Sequence, residues 1–305
     1  HSQASGVFPV FRDRSCPGLL NSYLCTSRLL PEVLSPLLAQ AHRFVWQDLF
    51  HHLENAKRPL ILAGGGIRSS RSTEALRTFV TKVRVPVIES LMAVGVLPSD
   101  DPLDVGMIGS YGNRWANLSV GLSDFLLVLG SRLDIRQTGA KTEAFKGNRV
   151  IFHVDCEPHE INNRVIGCRA IASDLRDFFT KAIGMAMGRE FKVRTEWLTE
   201  IKRLKLAWPD TRELEGIAGI NPNVFMHELS AVSRKASAYV VDVGQHQMWA
   251  AQSLEIAADQ QFLTSGGMGS MGFALPAAIG VALTTSPRPC VVIAGDGGLQ
   301  HNVQE

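Results

Sequence analysis

The sequence is poor in the features that mark several large classes of protein. Its five cysteines are odd in number and include no Cys-x-x-Cys pair, so they predict neither a disulfide framework nor a thiolate metal site and fit a reducing compartment. Neither sign of charge dominates, because 31 basic residues stand against 29 acidic ones and the basic residues form no block. We therefore expect no nucleic acid among the partners.

Long apolar runs are also missing. The longest, residues 272–283, contains Pro276 and is much shorter than the about 20 residues that a membrane-spanning helix needs. The first residues show no basic-then-apolar segment of the secretory kind, and the chain contains neither a P-loop nor a nucleophile elbow. We expect a cytoplasmic protein without a membrane partner, and the start at His1 suggests a fragment of a longer chain.

What is present is an alternation of apolar runs and helical patterns. Continuous apolar runs of the kind that is buried in a parallel sheet cover residues 59–63, 124–130 and 149–155. Strands at 238–244 and just before Asp296, with helices between them, form a second unit of the same type. The pattern predicts the α/β class, with a Rossmann-like parallel sheet in the central part of the chain.

The same pattern divides the chain into four parts. Residues 1–45 form an irregular leader without an assigned role, and residues 46–188 form the central α/β domain. A stretch rich in charged helix formers, residues 189–219, is predicted to be a helical linker. Residues 220–305 then form part of a second α/β domain.

Three consecutive glycines, Gly64, Gly65 and Gly66, separate a predicted buried strand from a helix. Their backbone N–H groups could approach a diphosphate at the start of that helix. A tight turn that needs small residues explains them equally well. A nicotinamide fingerprint would require glycine where Ser69 stands, and Glu89 is the one acidic residue near the usual spacing, so a dehydrogenase is the weaker hypothesis.

Charged residues follow two of the predicted strands. Arg132, Asp134 and Arg136 come just after residues 124–130, at the edge where open α/β sheets bind ligands. The two guanidinium groups could clamp phosphates while Asp134 orients one of them, or the three charges could form a solvated loop. Asp155 ends the next strand, where it could bind a ribose or cap a helix that begins near Pro158.

The second unit carries an acidic glycine turn. Asp296 lies between Gly295 and Gly297, directly after an apolar strand. A carboxylate beside glycines suits Mg²⁺ that bridges the protein to a diphosphate, although a plain Asp-Gly turn is the alternative.

A methionine stands in a glycine-rich segment of the same unit. Met271 is surrounded by glycines that leave it little to pack against, so it could face a ligand or belong to the core. Gly244, Gln245 and His246 end an earlier strand of this unit. These groups favour a site for a phosphorylated cofactor.

Three segments together resemble the C-terminal diphosphate-binding domain of thiamine-diphosphate enzymes of the acetolactate synthase (acetohydroxyacid synthase) group. They are DVGQHQMWAAQ at 242–252, SGGMGSMGFALPAAIG at 265–280 and GDGGLQHNVQE at 295–305, in the order of that group. RPLILAGGGI, GSRLDIRQTG and VIFHVDCEPHEINN resemble the group's central domain, which holds FAD in its better-known members. The resemblance covers roughly residues 53–305.

The resemblance implies a chemistry and a set of ligands. It implies decarboxylation of a pyruvate-like 2-oxo acid and transfer of the product to a second carbonyl, with thiamine diphosphate and Mg²⁺ as cofactors. Asp296 would bind Mg²⁺. Two further groups would have catalytic roles: Met271 would support the bent cofactor, and the Gly269 carbonyl would accept a hydrogen bond from the amino group of the cofactor. The diphosphate would lie among Gly244, Gln245, His246, Gly295, Gly297 and Gly298. FAD would contact Gly64, Gly65, Gly66, Arg132, Asp134, Arg136, Asp155 and Asp174.

The sequence also departs from the group. The group's catalytic Glu belongs to an N-terminal pyrimidine-binding domain and its second metal ligand, an Asn, lies beyond Glu305, so we expect a fragment that lacks both. His301 stands where acetolactate synthases usually carry Met, and Ile108 replaces a His common in FAD-binding members. The group's cofactor lies between subunits, which implies a homodimer or homotetramer.

Several alternatives stay open at this stage. The chain could be a catalytically inactive truncation product, or a module that binds a nucleotide or a partner. Another thiamine-diphosphate decarboxylase and a nicotinamide dehydrogenase are the remaining alternatives.

Overall fold

The computed structural model of the protein describes residues 44–304. Chain contacts divide the sequence into two units, His1–Asp48 and Leu49–Glu305. The first unit is described over residues 44–48, which are helical, and the predicted leader at 1–45 otherwise lies outside the described residues. The described elements belong to the second unit, apart from the first residues of the helix that leads into it.

Nine strands of the described part of the chain form two parallel sheets. The large sheet has the order β3-β2-β1-β4-β5-β6, and the small sheet has the order β8-β7-β9. The strands are β1 (Pro59–Ala63), β2 (Val87–Glu89), β3 (Asp104–Met107), β4 (Phe125–Leu129), β5 (Val150–Asp155), β6 (Arg169–Ala172), β7 (Ala238–Val241), β8 (Gln261–Thr264) and β9 (Cys290–Ile293). Every pairing between neighbouring strands is parallel, which confirms the predicted α/β class with a Rossmann-like sheet.

Helices connect these strands. They are α1 (44–55), α2 (Gly66–Ser69), α3 (Thr73–Val83), α4 (Arg114–Leu122), α5 (Ile135–Thr138), α6 (Thr142–Lys146), α7 (Leu175–Met187), α8 (Thr195–Ala207), α9 (Pro222–Val232), α10 (Gln245–Ser253), α11 (Ala274–Thr285) and α12 (Asp296–His301). Short 3₁₀ turns occur at Leu91–Ala93 and Asp210–Arg212. Within residues 44–304, no helix combines the length and the apolarity needed to cross a bilayer.

The core of the large sheet follows from its central strands. All side chains of β1 and β4 are buried, as the continuous apolar runs predict for strands covered on both faces. Alternate residues such as Leu60, Leu126 and Ile151 pack with α4 and α8. Helices α3 and α7 pack against each other through aromatic side chains, among them Phe79 and Phe178 with ring centroids 6.3 Å apart.

The predicted linker contributes to this core. Helix α8 lies within residues 189–219 and buries Trp197, Ile201 and Leu204 against the large sheet. The Trp197 indole Nε1–H donates to the carbonyl of Pro59, the first residue of β1, at 3.0 Å. Helix α8 is therefore packed against the large sheet. The boundaries at 46–188, 189–219 and 220–305 stay predictions.

Hydrogen bonds join the two sheets. The Arg68 guanidinium, on α2, donates to the carbonyls of Val94 and of Phe262 on β8. Ser99 and Ile256 exchange two hydrogen bonds of 2.9 Å, and the Asn113 side chain donates to the Gln252 carbonyl at 3.0 Å. Loops of the large sheet are thus held directly against α10 and the strand that follows it.

One local prediction was wrong. Residues 158–163 form successive turns, not the helix expected near Pro158. Asn162 stands there in the left-handed region with φ 58°, and its side chain accepts from the Cys168 N–H and donates to the Cys168 carbonyl. These side-chain bonds close a loop that a helix would open.

Candidate functional site

The three motifs at 242–252, 265–280 and 295–305 meet at one edge of the small sheet. β7 is followed by Asp242–His246, β8 by the glycine-rich segment 265–272, and β9 by Gly295–Gly298. Because the three strands are parallel, their carboxyl ends lie at the same edge. This is the edge at which open α/β sheets bind ligands.

Asp242 holds this edge together. Its carboxylate is 1% exposed and accepts three backbone hydrogen bonds. Oδ1 accepts from Val243 and Gly272 at 2.7 and 3.0 Å, and Oδ2 accepts from Ala274 at 3.1 Å. The segment that carries Met271 is therefore fixed to the end of β7. Gly272 adopts φ 82°, a conformation that favours glycine.

His246 lies between two of the predicted glycine turns. A Cβ at Gly244 would stand 2.6 Å from the His246 ring, and a Cβ at Gly295 would stand 3.5 Å from it. Its Nε2 atom is buried and has no hydrogen-bond partner among the described residues. Burial lowers the pKa of His246, partly offset by Asp242, so its ring is biased towards the neutral form at physiological pH. A buried ring nitrogen without a partner is ready to bond to a ligand.

Met271 reaches the acidic turn. Its side chain is 50% exposed, and its terminal methyl group lies 3.8 Å from where a Cβ would stand on Gly297. Gly269 lies two residues earlier in the same segment, and the neighbouring Met268 is 92% exposed. Gln245, the first residue of α10, is exposed as well. The structure thus brings the predicted Met271 and the Gly295–Gly298 turn together on an open surface.

Asp296 occupies the first position of α12. Its side chain is exposed, while Gly298 behind it is buried against Asp242, whose carboxyl carbon would lie 3.1 Å from a Cβ there. Among the described residues, no three His, Cys, Asp or Glu side chains converge as a metal cage. A cation at Asp296 would therefore need ligands from backbone, water or a bound phosphate.

A second candidate site lies where the strand order of the large sheet reverses, between β1 and β4. Gly64 and Gly66 press against Gly130 here, since a Cβ on Gly64 would stand 2.1 Å from the Gly130 carbonyl oxygen. The N–H groups of Gly64 and Gly66 donate to Leu129 and Gly130. Close packing thus accounts for these two glycines, and a ligand would be offered the Gly65 face.

Two adjoining cavities open at this point, with volumes of about 350 and 370 Å³. They share Gly66, Ser69, Gly130, Asp155 and Cys156, so they form one continuous groove. Most of the predicted flavin ligands line it: Gly65, Gly66, Arg132, Asp134, Arg136, Asp155 and Asp174. Met248 of α10 and Gly266 and Gly267 of the segment after β8 also line its first part.

Several of these predicted ligands have structural partners. Asp134 accepts from the backbone N–H groups of Arg136 and Gln137 at the start of α5, rather than orienting a guanidinium group. Asp155 accepts from the Glu157 N–H at 2.9 Å. Asp174 caps α7 and bonds to the Arg176 side chain, which lowers the pKa of the carboxyl group. Arg132 and Arg136 are exposed.

Glu89 bears on the nicotinamide hypothesis. Its carboxylate is 4% exposed and accepts from the N–H groups of Gly95 and Leu97 at 3.0 and 3.2 Å. These bonds turn it into the protein and away from the groove. Glu89 therefore does not face a ribose hydroxyl in the groove. The nicotinamide fingerprint thus lacks the acidic residue on which it would depend.

The same carboxyl group should make stability depend on pH. Burial, with the nearby Asp104 carboxyl group, raises the pKa of Glu89 to about 8. Because the folded state then holds a proton that the unfolded state releases near pH 4.5, stability is greatest below that pH and falls as pH rises towards about 8. Urea unfolding at a series of pH values should show this fall, at no more than about 1.4 kcal/mol per pH unit for one group.

The variant Glu89→Gln should flatten the slope. Glu200→Gln is the matched control, since the Arg203 side chain lowers the pKa of the partly exposed Glu200, whose contribution is lost only as pH falls. Equal slopes in the wild type and in Glu89→Gln would contradict the assignment.

Sequence reasoning missed Asp242 as a site residue, and also the residues that complete the groove, among them Ser131, Gln137 and Met92. Asp242 carries the same signal as Asp155 and Asp296, an acidic residue at the end of an apolar strand, and could have been found by it. The groove residues come from loops and carry no such pattern.

Comparison with known proteins gives two family matches. Residues 46–182 match the thiamine pyrophosphate enzyme central domain, and residues 242–305 match the thiamine pyrophosphate enzyme C-terminal TPP binding domain. The chain is 36% identical over 262 residues to the acetolactate synthase large subunit of Lactococcus lactis. This alignment covers 85% of this chain and 44% of the relative.

Two further relatives agree. Acetolactate synthase 2, chloroplastic, of Nicotiana tabacum is 35% identical over 279 residues, covering 90% of this chain and 41% of the relative. Acetolactate synthase isozyme 1 large subunit of Escherichia coli is 36% identical over 259 residues, covering 85% of this chain and 45% of the relative. The chain thus spans less than half the length of these relatives. Since the motifs, the fold and both domain matches agree, the chain belongs to the thiamine pyrophosphate enzymes, with similarity to acetolactate synthase large subunits.

Proposed function

We propose that the chain is part of an acetolactate-synthase-like enzyme that decarboxylates a pyruvate-like 2-oxo acid and joins the product to a second carbonyl. The observation that supports this most is the convergence of three motifs at the carboxyl edge of the small sheet, where His246 and Met271 lie beside the turn that holds Asp296. Thiamine diphosphate, when bound, supplies an electron sink for the carbanion that decarboxylation creates.

The residues present fit that cofactor. The glycines around His246 leave room for a diphosphate, which carries many acceptor oxygens. The buried Nε2 of His246, without a partner among the described residues, would donate to one of these oxygens once the ring is protonated, a form that a nearby anion favours. Gly244, Gln245, Gly295, Gly297 and Gly298 would complete the diphosphate site. Asp296 would hold Mg²⁺, whose preference for oxygen ligands the diphosphate also meets.

Met271 and Gly269 would position the organic part of the cofactor. Met271 offers a flexible apolar side chain directly beside the acidic turn, which suits the support of a ring system. The Gly269 carbonyl would accept a hydrogen bond from the cofactor's amino group. The fixed connection from Asp242 to Gly272 keeps this segment in place, so the chain's own residues would orient the cofactor before it reacts.

The groove at the large sheet is the proposed site for FAD. Its glycine face at Gly65 and Gly66, the exposed Arg132 and Arg136, and the carboxylates of Asp155 and Asp174 suit the phosphate and ribose groups of a dinucleotide. Ile108, which stands where FAD-binding members often carry His, is buried and also lines the groove. Flavin released from the purified protein on denaturation would support the assignment, and a colourless protein would oppose it.

The proposed thiamine site is open on one side, since Met268 and Asp296 are exposed. A dimer or tetramer, in which another domain covers these residues, would complete it. We propose a homo-oligomer for this reason, with a small 2-oxo acid as substrate and the cytoplasm as compartment.

The test is a titration of the chain with thiamine diphosphate and Mg²⁺ by calorimetry. We expect saturable binding that requires Mg²⁺, and Asp296→Ala should weaken it about tenfold or more, the loss of one charge-assisted contact. Asp259→Ala is the matched control, because Asp259 is also exposed but precedes β8 at the opposite edge of the sheet. Absence of binding, or equal affinity in Asp296→Ala and the wild type, would overturn the proposal.

A further inference from the structure

A separate cavity of about 390 Å³ lies between α4 and the α5–α6 segment. Its walls include Asn117 and Val120 of α4, Ala144 and Phe145 of α6, and the side chains of Lys141 and Arg149. It has Ile108 and Gln137 in common with the groove proposed for FAD and is otherwise lined by different residues.

Arg149 is the unusual member of this cavity. It is 7% exposed, and its Nε and Nη1 atoms are buried without a hydrogen-bond partner among the described residues. The Phe145 ring lies beside it, with the ring centroid 5.5 Å from the guanidinium carbon. Burial lowers the pKa of Arg149 to about 10, so the group stays charged at neutral pH. A buried cation whose N–H groups have no acceptor is costly, unless a ligand supplies one.

The described residues that line the cavity offer Arg149 no counter-charge. None of the described residues that line the cavity is Asp or Glu, and Lys141 adds a second basic group. The polar neighbours already have partners, because Asn117 exchanges two hydrogen bonds with Gly109 and Thr138 Oγ1 accepts from Arg164. The unused donors in the cavity are therefore those of the basic side chains.

We propose that this cavity binds a small organic anion, with its carboxylate or phosphate group on Arg149 and its apolar part against Phe145, Ala144 and Val120. A charged group on Arg149 would supply the missing acceptors, and Lys141 at the edge would add to the attraction. The apolar wall leaves room for a body larger than an inorganic ion. The site does not depend on the function proposed above.

Calorimetric titration of the chain with benzoate, phenyl phosphate and inorganic phosphate, at constant ionic strength, tests the proposal. We expect saturable binding of at least one aromatic probe, weakened at least about tenfold in Arg149→Met. Benzoate against phenyl phosphate distinguishes a carboxylate from a phosphate ligand, and inorganic phosphate shows whether the apolar part is needed. Arg203→Met, which removes an exposed arginine of α8, is the control and should bind as the wild type does.

Folding and a second variant keep the test decisive. Arg149→Met should unfold at the same temperature as the wild type or a higher one, because it removes an unpaired buried charge and keeps an apolar side chain of similar length. If that variant does not fold, Lys141→Ala, which changes an exposed residue, should still weaken binding several-fold. No saturable binding of any probe, or unchanged affinity in the folded Arg149→Met or in Lys141→Ala, would overturn the proposal.

Discussion

Replacing Asp242 by alanine is expected to lower the free energy of unfolding by about 3 kcal/mol, since three backbone N–H groups lose their acceptor in a buried site. Urea unfolding followed by circular dichroism measures this loss. The same variant should bind thiamine diphosphate more weakly, because Gly272 would no longer hold the Met271 segment against β7.

Asp124→Ala is the matched control for Asp242. The Asp124 carboxylate also accepts backbone bonds, from Lys57 and Arg58 at 2.8 and 2.9 Å, but it is half-buried, so water can replace it. Its loss should cost about 1 kcal/mol. Equal costs for the two alanine variants would mean that burial does not set the penalty at Asp242. Asp242→Asn, which keeps one acceptor oxygen, should fall between Asp242→Ala and the wild type.

The second large effect is expected at Trp197. Truncation to alanine removes a side chain that is 2% exposed and breaks the bond to Pro59, so the free energy of unfolding should fall by about 4 kcal/mol. Trp197→Phe should lose less than half of that, because most of the apolar contact stays. The measurement is again urea unfolding followed by circular dichroism. Tryptophan fluorescence is unsuitable, because the substitution removes a fluorophore as well as changing the stability.

Trp208→Ala is the control for Trp197. Trp208 follows α8 directly, is 38% exposed, and stacks on Arg114 with 3.9 Å from the guanidinium carbon to the ring centroid. Its loss should cost about 1 kcal/mol. If Trp197→Ala and Trp208→Ala lowered the free energy of unfolding by the same small amount, the packing of α8 on the large sheet would contribute little to stability.

Much of the fold could be predicted, and the strands that were missed share a cause. The buried runs that become β1, β4 and β5 were found because a strand covered on both faces is apolar at every position. β3, β6 and β8 were missed, and each lies at the edge of its sheet. β3 and β6 carry charged residues such as Asp104 and Arg169, and β8 begins with Gln261, so no continuous apolar run marks these three strands. β9 is also an edge strand, but its Cys290–Ile293 run is apolar throughout and was found.

The candidate site shows a similar division. Motif order placed Met271 and Asp296 in one cofactor site, and the structure brings Met271 beside the turn that holds Asp296. Sequence could not show that Asp134 and Asp174 cap helices, because a carboxylate that caps and one that binds a ligand have the same local pattern. It also could not show that Arg149 is buried without an acceptor, since burial depends on contacts far apart in sequence.

The hydrogen bonds between the two sheets have a consequence for local opening. Arg68, Ser99 and Asn113 each bond across from the large sheet to residues around β8 and α10, so the small sheet cannot separate without losing these bonds together. Opening free energies in different parts of a protein are shared when the parts unfold as one cooperative unit. The amide protons of β7 and those of β1 should therefore exchange with solvent at similar slow rates, although they belong to different sheets.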